Sequence, residues 1–251
     1  MSYFSRIQLN ATHPDVQTAL YAAAGASAHS EHQWLWRFFP TDRGAARDFV
    51  FRRMDPDSQH AHAIYYLVSQ RQPCAPHPAW RIDTREYTPR IATGATLAFE
   101  LRVNPVVTRN GHRHDIIMDA KTELAKDAGY AAWTEMPAAQ QAAITAQGYA
   151  FIQQRVARWL DGTPGEPGFA ARHGFALARH DDDAAPLRVD GYRRHRLAAK
   201  DKNDQQRAWF SSVDLAGALT VTDAERFNVA LHRGAGHAKA YGCGLLLIRR
   251  A

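Results

Sequence analysis

The sequence predicts an α+β fold made of two small domains in tandem, each a β-α-β-β-α-β unit, divided at residues 1–90 and 91–251. Three observations carry that expectation. Both halves mix short strand-like runs with one or two helical stretches. Leu97, Phe99, Leu101 and Val103 alternate with Ala98, Glu100, Arg102 and Asn104, the pattern of a strand buried on one face. A chain of 251 residues that is 45% hydrophobic is long enough for two small cores. No internal repeat marks a duplication.

In chain order, Tyr3 to Leu9 reads as the first strand. Thr12, Pro14 and Asp15 then open a helix as its cap, first turn and third position, with Val16, Ala19, Leu20 and Ala23 at helical spacing. The alanine-rich run from 22 to 28 either continues or breaks it, and Pro40 stops the next segment, His32 to Phe39. A short helix is predicted over Arg43–Arg53, burying Ala46, Phe49 and Val50. A strand follows at His62–Ser69, and Pro73–Pro78 forms a turn. The alternating strand ends at Pro105, before a polar loop from Thr108 to His114. Helical sequence runs from Pro137 to Leu160 until the glycine- and proline-rich stretch after Asp161 breaks it. Residues 172–186, with three consecutive aspartates from Asp181, read as a solvated insertion. A hairpin is expected from Leu187 to Val213 and a strand from Leu215 to Val221. The last helix has Thr222 to Glu225 as capping box and Phe227, Ala230 and Leu231 as buried face. A glycine-rich loop and a short apolar strand close the chain.

Composition narrows the function. No apolar run approaches the roughly 20 residues a bilayer requires, and the first residues read as a strand and not as a secretory leader. Cys74 and Cys243 are the only cysteines, which predicts no disulfide framework and a cytoplasmic location. The 13 histidines show no metal-ligand spacing, so no metal and no cofactor are expected. The net charge is +6, and five of the 31 basic residues are lysine. The arginine fork suits phosphate and guanine edges, and seven cations fall between Arg188 and Arg207 against three acids. A polyanion is the expected partner.

The C-terminal loop is the most informative stretch. Gly234, Gly236, Gly242 and Gly244 bracket Lys239. Backbone amides of such a turn can cradle an anion. The glycines follow a helix and lead into a strand, which fits neither a P-loop nor a dinucleotide-binding turn. The alternative is a helix cap at Gly234 followed by a tight turn.

The run Gly234-Ala-Gly-His-Ala-Lys-Ala-Tyr-Gly-Cys-Gly-Leu245 resembles the G-x-G-x-x-K-x-x-G-C-G-L signature of the CRISPR-associated CasE endoribonucleases of type I-E systems. Leu101-Arg-Val-Asn-Pro105, the segment from His32-Gln to Phe39-Pro40, and Gly217-Ala-Leu-Thr-Val221 are similar to further segments of that family, in the same order along the whole chain. The resemblance implies two ferredoxin-like (RRM-like) domains. It implies cleavage of CRISPR precursor RNA at the repeat stem-loop without a metal: a 2′-hydroxyl attacks the adjacent phosphate, leaving a 2′,3′-cyclic phosphate and a 5′-hydroxyl. The product stays bound as crRNA within Cascade, whose other subunits are then partners. The chain is expected to be monomeric when alone.

His32 matches the family's catalytic histidine. On residues alone it is equally a core side chain beside Trp34, Leu35 and Phe38; imidazole chemistry near neutral pH suits proton transfer. Where the family often has a tyrosine, this chain has His29, which is either a second proton-transfer group or a loop residue; Tyr21 is a further candidate. Lys239 is expected to stabilise charge on the phosphorane or to orient the RNA backbone. The RNA-binding candidates are Arg193, Arg194, Arg196, Lys200, Lys202 and Arg207 of the basic hairpin, Arg102 on the alternating strand, and the four loop glycines. Cys243 is read as packing. The departure at His29 keeps open a non-catalytic, hairpin-binding structural subunit of the same complex.

Overall fold

The computed structural model describes residues 1–23, 28–40, 46–58, 60–163, 165–180, 183–184, 187–197 and 209–250, without the side chains of 22–23, 28–29, 180 and 183–184. The first half contains β1 (Tyr3–Leu9), α1 (Val16–Ala23), α2 (Ala28–Leu35), β2 (Phe49–Met54), β3 (Ile64–Ser69) and β4 (Trp80–Glu86). The strands form an antiparallel sheet in the order β2-β3-β1-β4. That is the ferredoxin-like order, with residues 70–79 running as non-helical chain where a second helix is expected. Residues 49–53, predicted helical, are strand instead. Phe49 and Phe51 enter the core beneath α2, while Val50 and Arg52 are buried on the opposite face, against the second half. A strand covered on both faces reads as an unbroken apolar run, which periodicity cannot separate from a buried helix. The first helix also begins later than predicted: Thr12 donates to Asn10, and regular helix starts at Val16.

The second half holds β5 (Thr96–Val103), the ribbon β6 (Val106–Arg109) and β7 (His112–Asp115), then α3 (Ile116–Asp127), α4 (Ala138–Gln147) and α5 (Tyr149–Asp161). The pair β8 (Gly162–Thr163) and β9 (Glu166–Pro167) leads to α6 (Phe169–Arg172) and β10 (Phe175–Leu177). The pair β11 (Arg179–His180) and β12 (Asp183–Ala184) follows, then β13 (Arg188–Arg196), β14 (Trp209–Val221), α7 (Ala224–Arg233) and β15 (Leu246–Arg250). Here β10, β14, β5 and β15 lie side by side, again in ferredoxin-like order, and β13 pairs with the free stretch of β14. Leu97, Phe99, Leu101 and Val103 all face the core, as their alternation predicts.

Several expectations change in this half. The polar loop 108–114 is a hairpin whose Asn110 and Gly111 both take positive φ, the conformation a two-residue turn requires. The insertion at 172–186 supplies β10, a strand of the sheet itself. The last helix is capped by Asp223, which accepts from the Arg226 amide, and not by Thr222. Gly148 divides the long predicted helix in two. Among the described residues, no helix is long and apolar enough to cross a membrane.

The two sheets are joined by an apolar contact of Val50, Val68 and Leu245, and by a charged one beside it. Arg102 of β5 grips Asp214 of β14 through two bonds of 2.8 and 2.9 Å, and Arg52 of β2 reaches Asp214 at 3.5 Å and Glu100 at 3.6 Å. A third bond runs from Arg102 to the Arg53 carbonyl at 3.4 Å. Arg102, expected among the RNA-binding groups, therefore has its guanidinium engaged as a strut between the sheets.

Candidate functional site

Helix α2 packs against the 3-10 turn Lys239–Tyr241, which brings the predicted histidine helix and the glycine loop together from opposite ends of the chain. Core packing fixes the roll of α2. Trp34 and Leu35 are buried, with the Trp34 ring 4.7 Å from Trp80 and 5.1 Å from both Phe38 and Tyr65. Glu31 accepts the Tyr65 hydroxyl at 2.9 Å and Arg53 at 3.2 Å. Burial, reinforced by Glu31, pushes the Tyr65 phenol well above its usual range, so it remains a donor. The fixed roll leaves His32 half-buried at the rim of the core, its ring 5.9 Å from Phe49 and 6.2 Å from Trp36. The ring is partly exposed, with its Nε2 turned away from solvent. His29 lies one turn earlier on α2, and its side chain is outside the described residues. Tyr21, on α1, is exposed.

Lys239 folds back over its own loop, its ammonium donating to the Gly234 carbonyl at 3.4 Å. Burial, then Arg47 and Arg233 nearby, pull its pKa below the ordinary lysine value. Lys239, on the turn that packs against α2, thus feels the positive charge of Arg47 and Arg233, a field that favours an anion there. Arg47 and Arg233 were not among the sequence candidates; Arg233 immediately precedes Gly234, the one signal that pointed to it.

The amides of three glycines are engaged within the protein. Gly234 donates to Ala230, Gly236 to His173 Nε2 at 3.2 Å, and Gly244 to the Arg102 carbonyl at 2.7 Å. This corrects the expected anion cradle for those three positions, because the donors already have acceptors. The glycines instead permit close packing. At Gly244, φ is +91° and a Cβ would lie 2.7 Å from the Ala235 carbonyl oxygen; at Gly234, φ is +74° and a Cβ would meet Val50 at 2.8 Å. Gly242 lies over Phe51. Gly244→Ala is expected to lower stability by about 2–3 kcal/mol through combined backbone strain and clash; equilibrium urea unfolding checks this, and a wild-type midpoint would contradict it. Cys243 is buried, which pushes its thiol up to about 12, in keeping with a packing role.

His173 holds the loop from the other side. Its Nδ1 lies 2.7 Å from the Phe169 carbonyl and its Nε2 accepts from Gly236, a pairing that requires the neutral ring. Burial first, then Arg172 and Lys239, lower its pKa from the ordinary 6.5, while the Phe169 carbonyl opposes the change. The unfolded chain thus takes up a proton before the folded one does. Stability is full above about pH 6.5 and declines as the pH falls below it. Urea midpoints at pH 7.5 and 5.5 should fall less steeply in His173→Ala than in the wild type; equal declines would remove His173 from the account.

The hairpin sorts its cations by face. Arg193 pairs with Asp55 of the first half at 3.1 Å. His195 lies 2.8 Å from Ser212 and stacks on Phe210 (centroids 4.5 Å apart), which stacks on Tyr241 at 4.9 Å. The far end of the described β13–β14 ladder is therefore tied to the turn that carries Lys239. Arg194 and Arg196 are exposed. Lys200, Lys202 and Arg207 lie outside the described residues. Among the described residues, no group of three His, Cys, Asp or Glu side chains is placed to hold a metal ion.

The sequence profile of the family described as "CRISPR associated protein" matches residues 2–250. The chain is 28% identical over 223 residues to the CRISPR system Cascade subunit CasE of Escherichia coli (strain K12), covering 86% of this chain and 88% of that one. Its fold is similar to that of CRISPR endoribonuclease Cse3 bound to a 19-nucleotide RNA, at a TM-score of 0.64 and 16% identity over 98% of this chain and 99% of the other. It is also similar to Thermus thermophilus Cse3 bound to an RNA representing a pre-cleavage complex, at a TM-score of 0.61 and 16% identity over 99% and 98% of the two chains.

Proposed function

Because the chain belongs to the CRISPR-associated CasE family, we propose that it is an endoribonuclease that cleaves CRISPR precursor transcripts at the repeat stem-loop and stays on the crRNA as a Cascade subunit. The observation that carries this reading is the contact between α2, with His32 at the core rim, and the turn bearing Lys239. In the proposed reaction the 2′-hydroxyl loses its proton to a base and attacks the neighbouring phosphorus. The P–O5′ bond breaks, the departing 5′-oxygen takes up a proton, and a 2′,3′-cyclic phosphate remains. His32 moves one of these protons, and His29 is the candidate for the other. Lys239, with Arg47 and Arg233, opposes the charge gathering on the phosphorane. No metal takes part.

The hairpin cations hold the stem. An A-form helix is recognised through its shape and phosphates, and Arg194 and Arg196 are exposed for such contacts. We further propose that residues 1–90 and 91–251 act as the two domains, and that the protein works in the cytoplasm and is monomeric until it joins its partners. Incubation with its repeat RNA in EDTA tests the chemistry. Two fragments, one ending in a 2′,3′-cyclic phosphate, are expected; bound but intact RNA would instead identify a structural binding subunit.

A further inference from the structure

The outer face of the hairpin carries rings as well as charge. Arg196 is the cross-strand partner of Trp209, and Arg194 lies two residues from Arg196 on the same strand. Strand alternation therefore sets Arg194, Arg196 and Trp209 on the face opposite Arg193, His195 and Phe210. Trp209 is 52% exposed, and the Arg194 guanidinium stands over its indole, 5.2 Å from the ring centroid. Among the described residues neither Arg194 nor Arg196 forms an ion pair. Nearby, Tyr192 donates to Asp115 at 2.8 Å and lies beneath the Lys121 ammonium at 4.6 Å, which also stands 5.3 Å from the Trp133 ring.

Trp209 and Arg194 therefore set an open ring beside an exposed cation, with Tyr192 and Lys121 partly buried next to them and Trp133 buried beyond. A ligand that matches both parts has negative charge at regular intervals and flat rings between. RNA has that chemistry, and the bases that are free to stack on a protein ring are unpaired ones, since a stem keeps its own bases stacked internally. We propose that Trp209 and Arg194 form a stacking site for one unpaired base adjoining the RNA stem, with Arg196 on the neighbouring phosphate. The proposal rests on the RNA-binding reading above and gives the hairpin a second role, which is to set where along the strand the RNA stops.

The test uses the full chain and repeat hairpins in which 2-aminopurine replaces the unpaired nucleotides beside the stem one at a time. At one position the fluorescence should be quenched by the wild type and by Trp209→Phe, and not by Trp209→Ala. Trp209→Ala should also weaken binding on the order of tenfold with its salt dependence unchanged, whereas Arg194→Gln should reduce the salt slope by about one. If Trp209→Ala binds and quenches as the wild type does, the stacking site is overturned while RNA binding stands, and the face is left to a protein partner. If the wild type does not bind the hairpin at all, both readings fall.

Discussion

Replacing His32 with alanine is expected to slow cleavage of the repeat RNA by about 10²–10⁴-fold, the usual contribution of a positioned acid or base, and to leave hairpin binding unchanged. The two effects separate because of where the ring sits. It borders Phe49 and Trp36 at the rim of the core and belongs to α2, not to the hairpin that carries the candidate stem-binding cations, and the packing that holds α2 comes from Trp34, Leu35 and Glu31. Single-turnover cleavage and gel-shift titration of the same variant give both quantities. Undiminished cleavage would remove His32 from the chemistry, and a joint loss of cleavage and binding would recast it as structural.

The largest expected loss of stability comes from Asp214→Ala, about 3–5 kcal/mol by analogy with other broken buried ion pairs. Asp214 serves two arginines from two sheets, and Arg52 is only 5% exposed. Two further nitrogens of Arg52 are buried without an acceptor among the described residues, so Glu100 at 3.6 Å would be its remaining counter-ion. Replacing Arg52 and Arg102 by Met together with Asp214 by Leu should recover much of the loss, since the cost lies in the stranded charges of both arginines. Urea unfolding reads both; a loss below about 1 kcal/mol, typical of surface pairs, would mean that the contact between the sheets does not depend on this residue.

Legibility in the sequence followed burial geometry. The β5 alternation and the apolar face of α7 have one face in the core and one out, and each is readable from its period; the terminal strand, packed on both faces, is readable as a short apolar run. The strand at Phe49–Met54 was not, because it is buried on both faces. The fourth strand at Trp80 and the helix at Ile116 also escaped prediction, their burial being set by partners distant in sequence. The Asn110-Gly111 turn was legible in principle, as a dipeptide that suits two consecutive positive φ angles.

For the site, the histidine and lysine came from motif resemblance, and the fold supplied their proximity. Local sequence offered no sign that Gly236 would donate to His173, or that Arg102 would face Asp214, because both contacts depend on tertiary register. The division of Arg193 from Arg194 was implicit in strand alternation, once β13 could be recognised as a strand. The bulge between Asp190 and Arg193 shifts that register, and Gly191 within it, at a φ of 62°, is the residue that announces it.

The joint action of His32 and Lys239 is best tested by a double-mutant cycle on the single-turnover cleavage rate, using His32→Ala, Lys239→Ala and the two combined. If both act on one phosphate, each single variant is slow and the double variant is little slower than His32→Ala, since groups that work as a unit are not additive. Rate losses that multiply in full would place the two residues in separate roles and contradict a cleavage centre built where α2 meets the C-terminal turn.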